Sequence, residues 1–194
     1  MKIDRSIAQL AAKLDSWFEA SIPMFASADR TTQGRAIVRG VAIVKELDQL
    51  KTDGLAALKS LMANYAPIPE GKRVASLLRA FEFGAKLKAA LHDELLDTDS
   101  GNKIVLLMND IAAALDATAQ GRSALGELLG HSDPRVRASA GAYLLIKNLM
   151  SERVVPILRA IDEKSEGSSA EFTAHWALLD WELKQKAAIV DNTK

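Results

Sequence analysis

The chain has 194 residues, no cysteine, and 25 basic against 25 acidic side chains, so its formal net charge is zero. The lack of cysteine excludes disulfide bridges, thiolate zinc sites and thiol catalysis, and the neutral balance removes the overall attraction on which nucleic-acid binders usually rely. Alanine and leucine occupy 32 and 26 positions, and this excess predicts an all-α fold without strands.

Two features bear on the compartment. The longest aliphatic run, at residues 104–108, is far too short to cross a bilayer. The first residues include Asp4 and lack the apolar stretch of a signal peptide. We therefore expect a cytoplasmic protein that does not bind membranes.

The first predicted helix carries large apolar side chains at spacings of 4, 3, 4 and 3 residues, at Ile3, Ile7, Leu10, Leu14 and Trp17. This spacing is typical of a narrow apolar stripe along a helix. The stripe could cover its own domain or pair two copies of the chain, so monomer and homodimer both stay open.

Turn signals divide the next hundred residues. A second helix is predicted from Thr31 or Thr32, with a break at 52–54 and a shorter helix after it. Two prolines predict a loop over 66–71, because proline lacks the N–H donor that a helix interior needs. Long helices follow over 74–95 and 104–115.

Shorter helices are predicted from Gly121 onward. One ends at Gly130, and the next begins with Asp133 as N-cap and a proline at its first position. Ser151 is the predicted cap of the following helix, and the last helix spans about 170–188. The total is about eight or nine helices in two parts, 1–98 and 99–188, which we expect to form one continuous domain with a flexible tail at 189–194.

Residues 125–145 read L-x-x-L-L-G-H-S-D-P-R-V-R-A-S-A-G-A-Y-L-L, which resembles a HEAT-type helical repeat. The resemblance implies antiparallel helix pairs stacked as a short HEAT-like α-solenoid. It also implies that Asp133 caps the second helix, that Val136 packs inward and that Arg137 ties to a turn. Similar spacings recur 67 residues earlier, and whether residues 1–98 are a diverged copy of 99–188 stays open.

Catalytic and metal-binding patterns are scarce. No phosphate-binding loop, nucleophile elbow or zinc-binding helix motif occurs, and His92, His131 and His175 lie far apart in sequence. Glu171, His175 and Asp180 could form a general-base site, but an i,i+4 carboxylate–imidazole pair is far more often a surface pair. We therefore expect no catalytic residue, no metal and no cofactor.

The last predicted helix carries two apolar stripes. Phe172, Trp176, Leu179 and Leu183 fall on one side and are the predicted core stripe, whereas Trp181 faces roughly the opposite way. A tryptophan that faces away from the core could anchor a binding partner or be covered by another part of the protein.

The HEAT-like pattern is also similar to small bacterial domains found beside polymorphic toxins, some of which act as immunity proteins. That resemblance implies a non-catalytic module that sequesters a cognate toxin or another protein, without nucleic acid. The alternative is a HEAT-like scaffold or an enzyme of the base-excision or lyase type that acts through a concave groove. The residues predicted to contact a partner are Trp181, His131, Asp133, Arg135, Arg137, Ile68, Glu70, Lys72 and Arg73.

Overall fold

A computed structural model describes the backbone of residues 2–25, 30–164 and 167–191, with side chains at 5–19, 42, 44–164 and 167–187. Within these ranges the chain is helical with no strand, which confirms the predicted all-α class. The α-helices are α1 (Lys2–Phe25), α2 (Arg30–Asn64), α3 (Glu70–Asp93), α4 (Thr98–Asp116), α5 (Ala119–Glu127), α6 (Pro134–Ile146), α7 (Ser151–Asp162) and α8 (Ser169–Asp191), and a 3₁₀ turn spans Leu128–Gly130.

The chain divides into two compact units, residues 1–107 and 108–194. In the first unit, α1 packs against both α2 and α3. Ile7, Leu10, Leu14 and Trp17 are all buried there, as the 4-3 spacing predicts for a core-facing stripe. The described part of the α1 stripe therefore packs within its own unit, and the side chain of Ile3 lies outside the described residues.

Helix α2 is continuous through Gly54, so the predicted break at 52–54 is wrong. Gly54 is buried where α2 approaches α3. A Cβ atom placed on it would lie 2.8 Å from Cδ2 of Leu87 and 2.9 Å from Cζ of Phe83. The glycine thus provides room for two large side chains of the neighbouring helix, and it does not end its own helix.

Helix α6 is the centre of the second unit. It contacts α5, α7 and α8, and its residues 138–145 are all buried, as is Val136. A helix that is apolar on nearly all sides is covered on several sides in this way. Gly141 is buried as well, and a Cβ on it would lie 2.8 Å from Cδ2 of Leu158 on α7.

The turn between α6 and α7 differs from the prediction. Asn148 has φ of 55° and the N–H of Leu149 bonds to the carbonyl of Leu144 at 2.7 Å, which is a Schellman-type helix end. Met150, with φ of 53°, precedes α7 without a side-chain cap, and Ser151 is the first helical residue instead of the cap. Ile146, the last residue of α6, is 53% exposed.

Candidate functional site

Helix α8 presents its large apolar side chains to solvent. Phe172 is 63% exposed, Trp176 53% and Leu183 57%, and Leu179 between them is half-buried. At 100° per residue the three exposed residues lie within about 40° of one another. The predicted orientation of this helix is therefore wrong, because the stripe assigned to the core is the outer one. We call these four residues the α8 aromatic face.

The buried side of α8 consists mainly of alanine. Ala170, Ala174 and Ala177 are buried together with Leu178, and α8 packs against α6, whose buried residues are also mostly small. Small side chains let two helix backbones approach closely, so van der Waals contact is gained without large residues. Phe172, Trp176 and Leu183 lie on the other side of the helix, outside this seam.

Trp181 lies on the alanine side of α8, about 20° from Ala174 around the helix. It is half-buried, and its buried Nε1 has no hydrogen-bond acceptor among the described residues. The argument that Trp181 faces away from the core is therefore wrong. Its role in partner binding stays a prediction without that support.

The α8 aromatic face has an ordered centre. The rings of Phe172 and Trp176 meet edge to face with centroids 5.9 Å apart, and the imidazole of His175 lies 6.2 Å from Trp176 at 85°. Edge-to-face contacts of this kind are favourable because the positive ring edge meets the negative ring face. The three rings hold one another along one side of the helix.

Pairs of polar and charged side chains border the face on both sides. Towards α7, Nδ1 of His175 lies 3.3 Å from Asp162, and Glu182 lies 3.4 Å from Arg159. On the other side, Asp180 and Lys184 pair at 2.6 Å. Exposed pairs such as these contribute little to stability. An apolar centre with a charged rim is the arrangement typical of protein–protein interfaces.

A capping box fixes the start of α8 just before the face. The side chain of Glu171 accepts the N–H of Gly167 at 2.7 Å, and Oγ of Ser168 accepts the N–H of Glu171 at 3.4 Å. This is a variant of the capping box, in which Glu171 binds the N–H of Gly167 instead of that of the N-cap residue Ser168. Glu171 is buried in that role.

Glu171, His175 and Asp180 do not form one site. Glu171 is held in the capping box, His175 pairs with Asp162, and Asp180 lies on the other side of the aromatic face with Lys184. Among the described residues no group of three or more histidine and acidic side chains could hold a metal ion. The described helices also include none that is long and apolar enough to span a membrane.

Four of the predicted partner residues lie in the turn before α6 and in its first turn, and they bind one another. Asp133 accepts the N–H of Arg135 at 2.9 Å, and the Arg135 guanidinium binds the same carboxylate at 2.6 and 2.9 Å. Arg137 donates to the carbonyls of His131 and Ser132 at 2.6 and 2.9 Å, and Nδ1 of His131 accepts the N–H of Asp133 at 3.0 Å. The expected cap at Asp133 is confirmed, and both arginines bind within the turn.

The predicted partner residues of the first unit lie in the α2–α3 loop and the start of α3. The N–H of Ile68 bonds to the carbonyl of Tyr65 at 3.0 Å, and Arg73 donates to the carbonyl of Ala66 at 3.3 Å. Glu70 and Lys72 are exposed in the first turn of α3. Whether these four residues contact a partner stays a prediction.

A buried lysine in the first unit has no signal in the sequence. Lys88 of α3 is only 7% exposed, and this burial lowers the pKa of its amine from 10.5 to about 8, with Asp93 acting in the opposite direction. One turn later, burial and the charge of Lys88 lower the pKa of His92. Sequence patterns place lysines at the surface, so only the packing of α3 identifies this residue.

The first unit also has a groove of about 770 Å³ along α1 and α2. Its lining is small or polar, with Ser6, Gln9, Lys13, Asp53 and Ser60 among its residues. The groove is open to solvent, whereas small-molecule sites usually enclose most of the ligand surface. The α8 aromatic face is therefore the stronger candidate for function.

Models of protein families, curated proteins and solved structures were compared with this chain, and none of them matches.

Proposed function

We propose that the chain is a non-catalytic protein-binding module of the immunity type, which sequesters and blocks a cognate bacterial toxin. The observation that carries the proposal is the α8 aromatic face, with Phe172, Trp176 and Leu183 more than half exposed on one side of a helix. Aromatic anchors surrounded by a polar rim are the usual energetic centre of a protein interface.

The position of the face on a packed helix supports this function. Its backbone is fixed by the capping box at Glu171 and by the alanine seam against α6, so the aromatic side chains project from a rigid element. Binding to a surface that is already ordered costs little conformational entropy, and this favours affinity. The HEAT-like resemblance of residues 125–145 supports the same class of function, because such repeats commonly bind proteins.

The test is co-expression with the products of the genes beside its own. We expect one of them to be toxic alone and harmless with this chain, and the two to co-purify as a stoichiometric complex. The double variant Phe172→Ala/Trp176→Ala should weaken the complex about 30-fold or more, which corresponds to the loss of one interface hot spot, and should restore toxicity.

Leu106→Ala is the matched control, because Leu106 is a leucine of the first unit that is exposed to a similar degree as Leu183. It should leave both affinity and protection unchanged. If the Phe172/Trp176 variant binds the toxic protein as tightly as the unchanged chain does, the α8 aromatic face is not the binding surface. If no neighbouring product is toxic, the immunity function is wrong.

A further inference from the structure

The apolar residues of the α8 aromatic face are arranged unequally along the helix. The two aromatic residues, Phe172 and Trp176, lie in the first half of the stripe, and the two leucines, Leu179 and Leu183, lie in the second half. Their spacing of 4, 3 and 4 residues is that of the a and d positions of a helix–helix seam. A helix is therefore the natural shape to cover this face.

This order of residues is complementary to itself when the second helix runs in the opposite direction. Antiparallel pairing centred between Ala177 and Leu178 places Phe172 opposite Leu183 of the second copy and Trp176 opposite Leu179 of the second copy. All four layers then combine one aromatic residue with one leucine, the large-against-small alternation that fills a seam evenly. Parallel pairing would instead stack Trp176 on Trp176 and leave leucine against leucine.

The charged rim agrees with the same pairing. In the antiparallel register His175 lies about two residues, on the order of 3 Å along the axis, from Glu182 of the second copy, and two-fold symmetry repeats this contact. On the opposite rim Asp180 faces the hydroxyl of Thr173 of the second copy. The two helix dipoles also run in opposite directions, which is favourable for neighbouring helices.

We propose that two copies of this chain pair antiparallel through the α8 aromatic face, forming an isologous dimer that covers the face until a partner displaces it. The inference rests on the proposed function in taking this face as the binding surface. About half of each exposed side chain would be covered, roughly 300–400 Å² of apolar area per copy. The two copies together would bury about 600–800 Å², less than the roughly 1,200 Å² at which stable specific interfaces begin, so the dimer is weak and forms only at high concentration.

The self-association is measured on the full chain by sedimentation equilibrium from about 1 to 500 μM. We expect a monomer–dimer equilibrium in the micromolar range, weakened at least tenfold by Trp176→Ala and unchanged by the exposed-leucine control Leu106→Ala. Circular dichroism checks that each variant is folded. A chain that stays monomeric at 500 μM, or one whose association Trp176→Ala leaves intact, overturns the proposal.

The register is tested by cross-linking, which is clean because the chain has no cysteine of its own. A His175→Cys copy mixed with a tagged Glu182→Cys copy should be joined by a short bismaleimide. His175→Cys mixed with Thr173→Cys should not be joined, since these two positions lie about seven residues, on the order of 10 Å, apart along the antiparallel seam and only about two residues apart in the parallel arrangement. Cross-linking of the second mixture in place of the first overturns the antiparallel pairing.

The two proposals fail separately. A chain that suppresses a toxin but stays monomeric at 500 μM refutes the dimer and leaves the proposed function standing. A chain that forms the predicted dimer, but has no toxic neighbour, refutes the immunity function and leaves the pairing standing.

Discussion

Replacing Lys88 by methionine is expected to remove a pH dependence that burial imposes on the stability of the first unit. The pKa of Lys88 is about 8 in the folded chain and 10.5 when the amine is hydrated. Between these two pH values the unfolded chain holds a proton that the folded chain has released. Stability therefore rises as the pH rises from 8 to 10.5, and the full penalty for the buried charge is present below pH 8.

The size of the effect follows from the shift. A difference of 2.5 between 10.5 and about 8 corresponds to about 3 kcal/mol, at 1.36 kcal/mol for each unit of pKa. Methionine has a similar length and no charge, so Lys88→Met should lack this contribution at every pH. Lys88→Arg is the matched control, because its guanidinium keeps its charge throughout this range.

The measurement is urea denaturation of the three proteins at pH 7, 8, 9 and 10. The free energy of unfolding of Lys88→Met, relative to the unchanged chain, should fall by about 2.5 kcal/mol between pH 7 and pH 10. The free energy of unfolding of Lys88→Arg should also fall relative to that of the unchanged chain between pH 8 and pH 10, because the arginine stays charged. A difference between Lys88→Met and the unchanged chain that is constant with pH would refute the reasoning.

Two further predictions concern helix starts. Gly121→Ala should destabilise the chain by about 1–3 kcal/mol, because a Cβ would collide with the backbone carbonyl of Leu115. Gly71→Ala should instead stabilise it by about 0.5–1 kcal/mol, because Gly71 lies in the first turn of α3 and a Cβ there would have nothing within 4 Å. Thermal melting of both variants checks that the two effects have opposite signs. Asp133→Ala should cost about 1 kcal/mol through loss of the α6 cap, measured by urea denaturation, and a cost near zero would show that the cap contributes nothing.

Sequence patterns predict the helices of this chain well where large apolar residues recur on one side only. The stripe from Ile7 to Trp17 is buried as its spacing predicts. The cap at Asp133 is also as predicted, because aspartate followed by proline has few other uses in a helical chain. Such local signals do not depend on which neighbour a helix packs against.

The orientation of α8 could not be predicted in this way, because both of its sides are apolar. Counting hydrophobic size favours the side with Phe172 and Trp176, whereas the actual seam uses Ala170, Ala174 and Ala177. The choice depends on the neighbouring helix α6, whose buried residues are mostly small and which packs against α8. The break predicted at 52–54 is wrong for the same reason. Gly54 makes room for Phe83 and Leu87 of α3, and this packing cannot be derived from the sequence around the glycine.

The alanine seam of α8 determines which positions of this helix can be substituted without loss of the fold. Because α8 is held by Ala170, Ala174 and Ala177, the fold of the second unit makes little demand on the outward residues. New side chains at positions 172, 176 and 183 should be tolerated without refolding the rest. The residues at these three positions can therefore vary without loss of the fold. Exchanging them for other side chains should change which partner protein binds to this face.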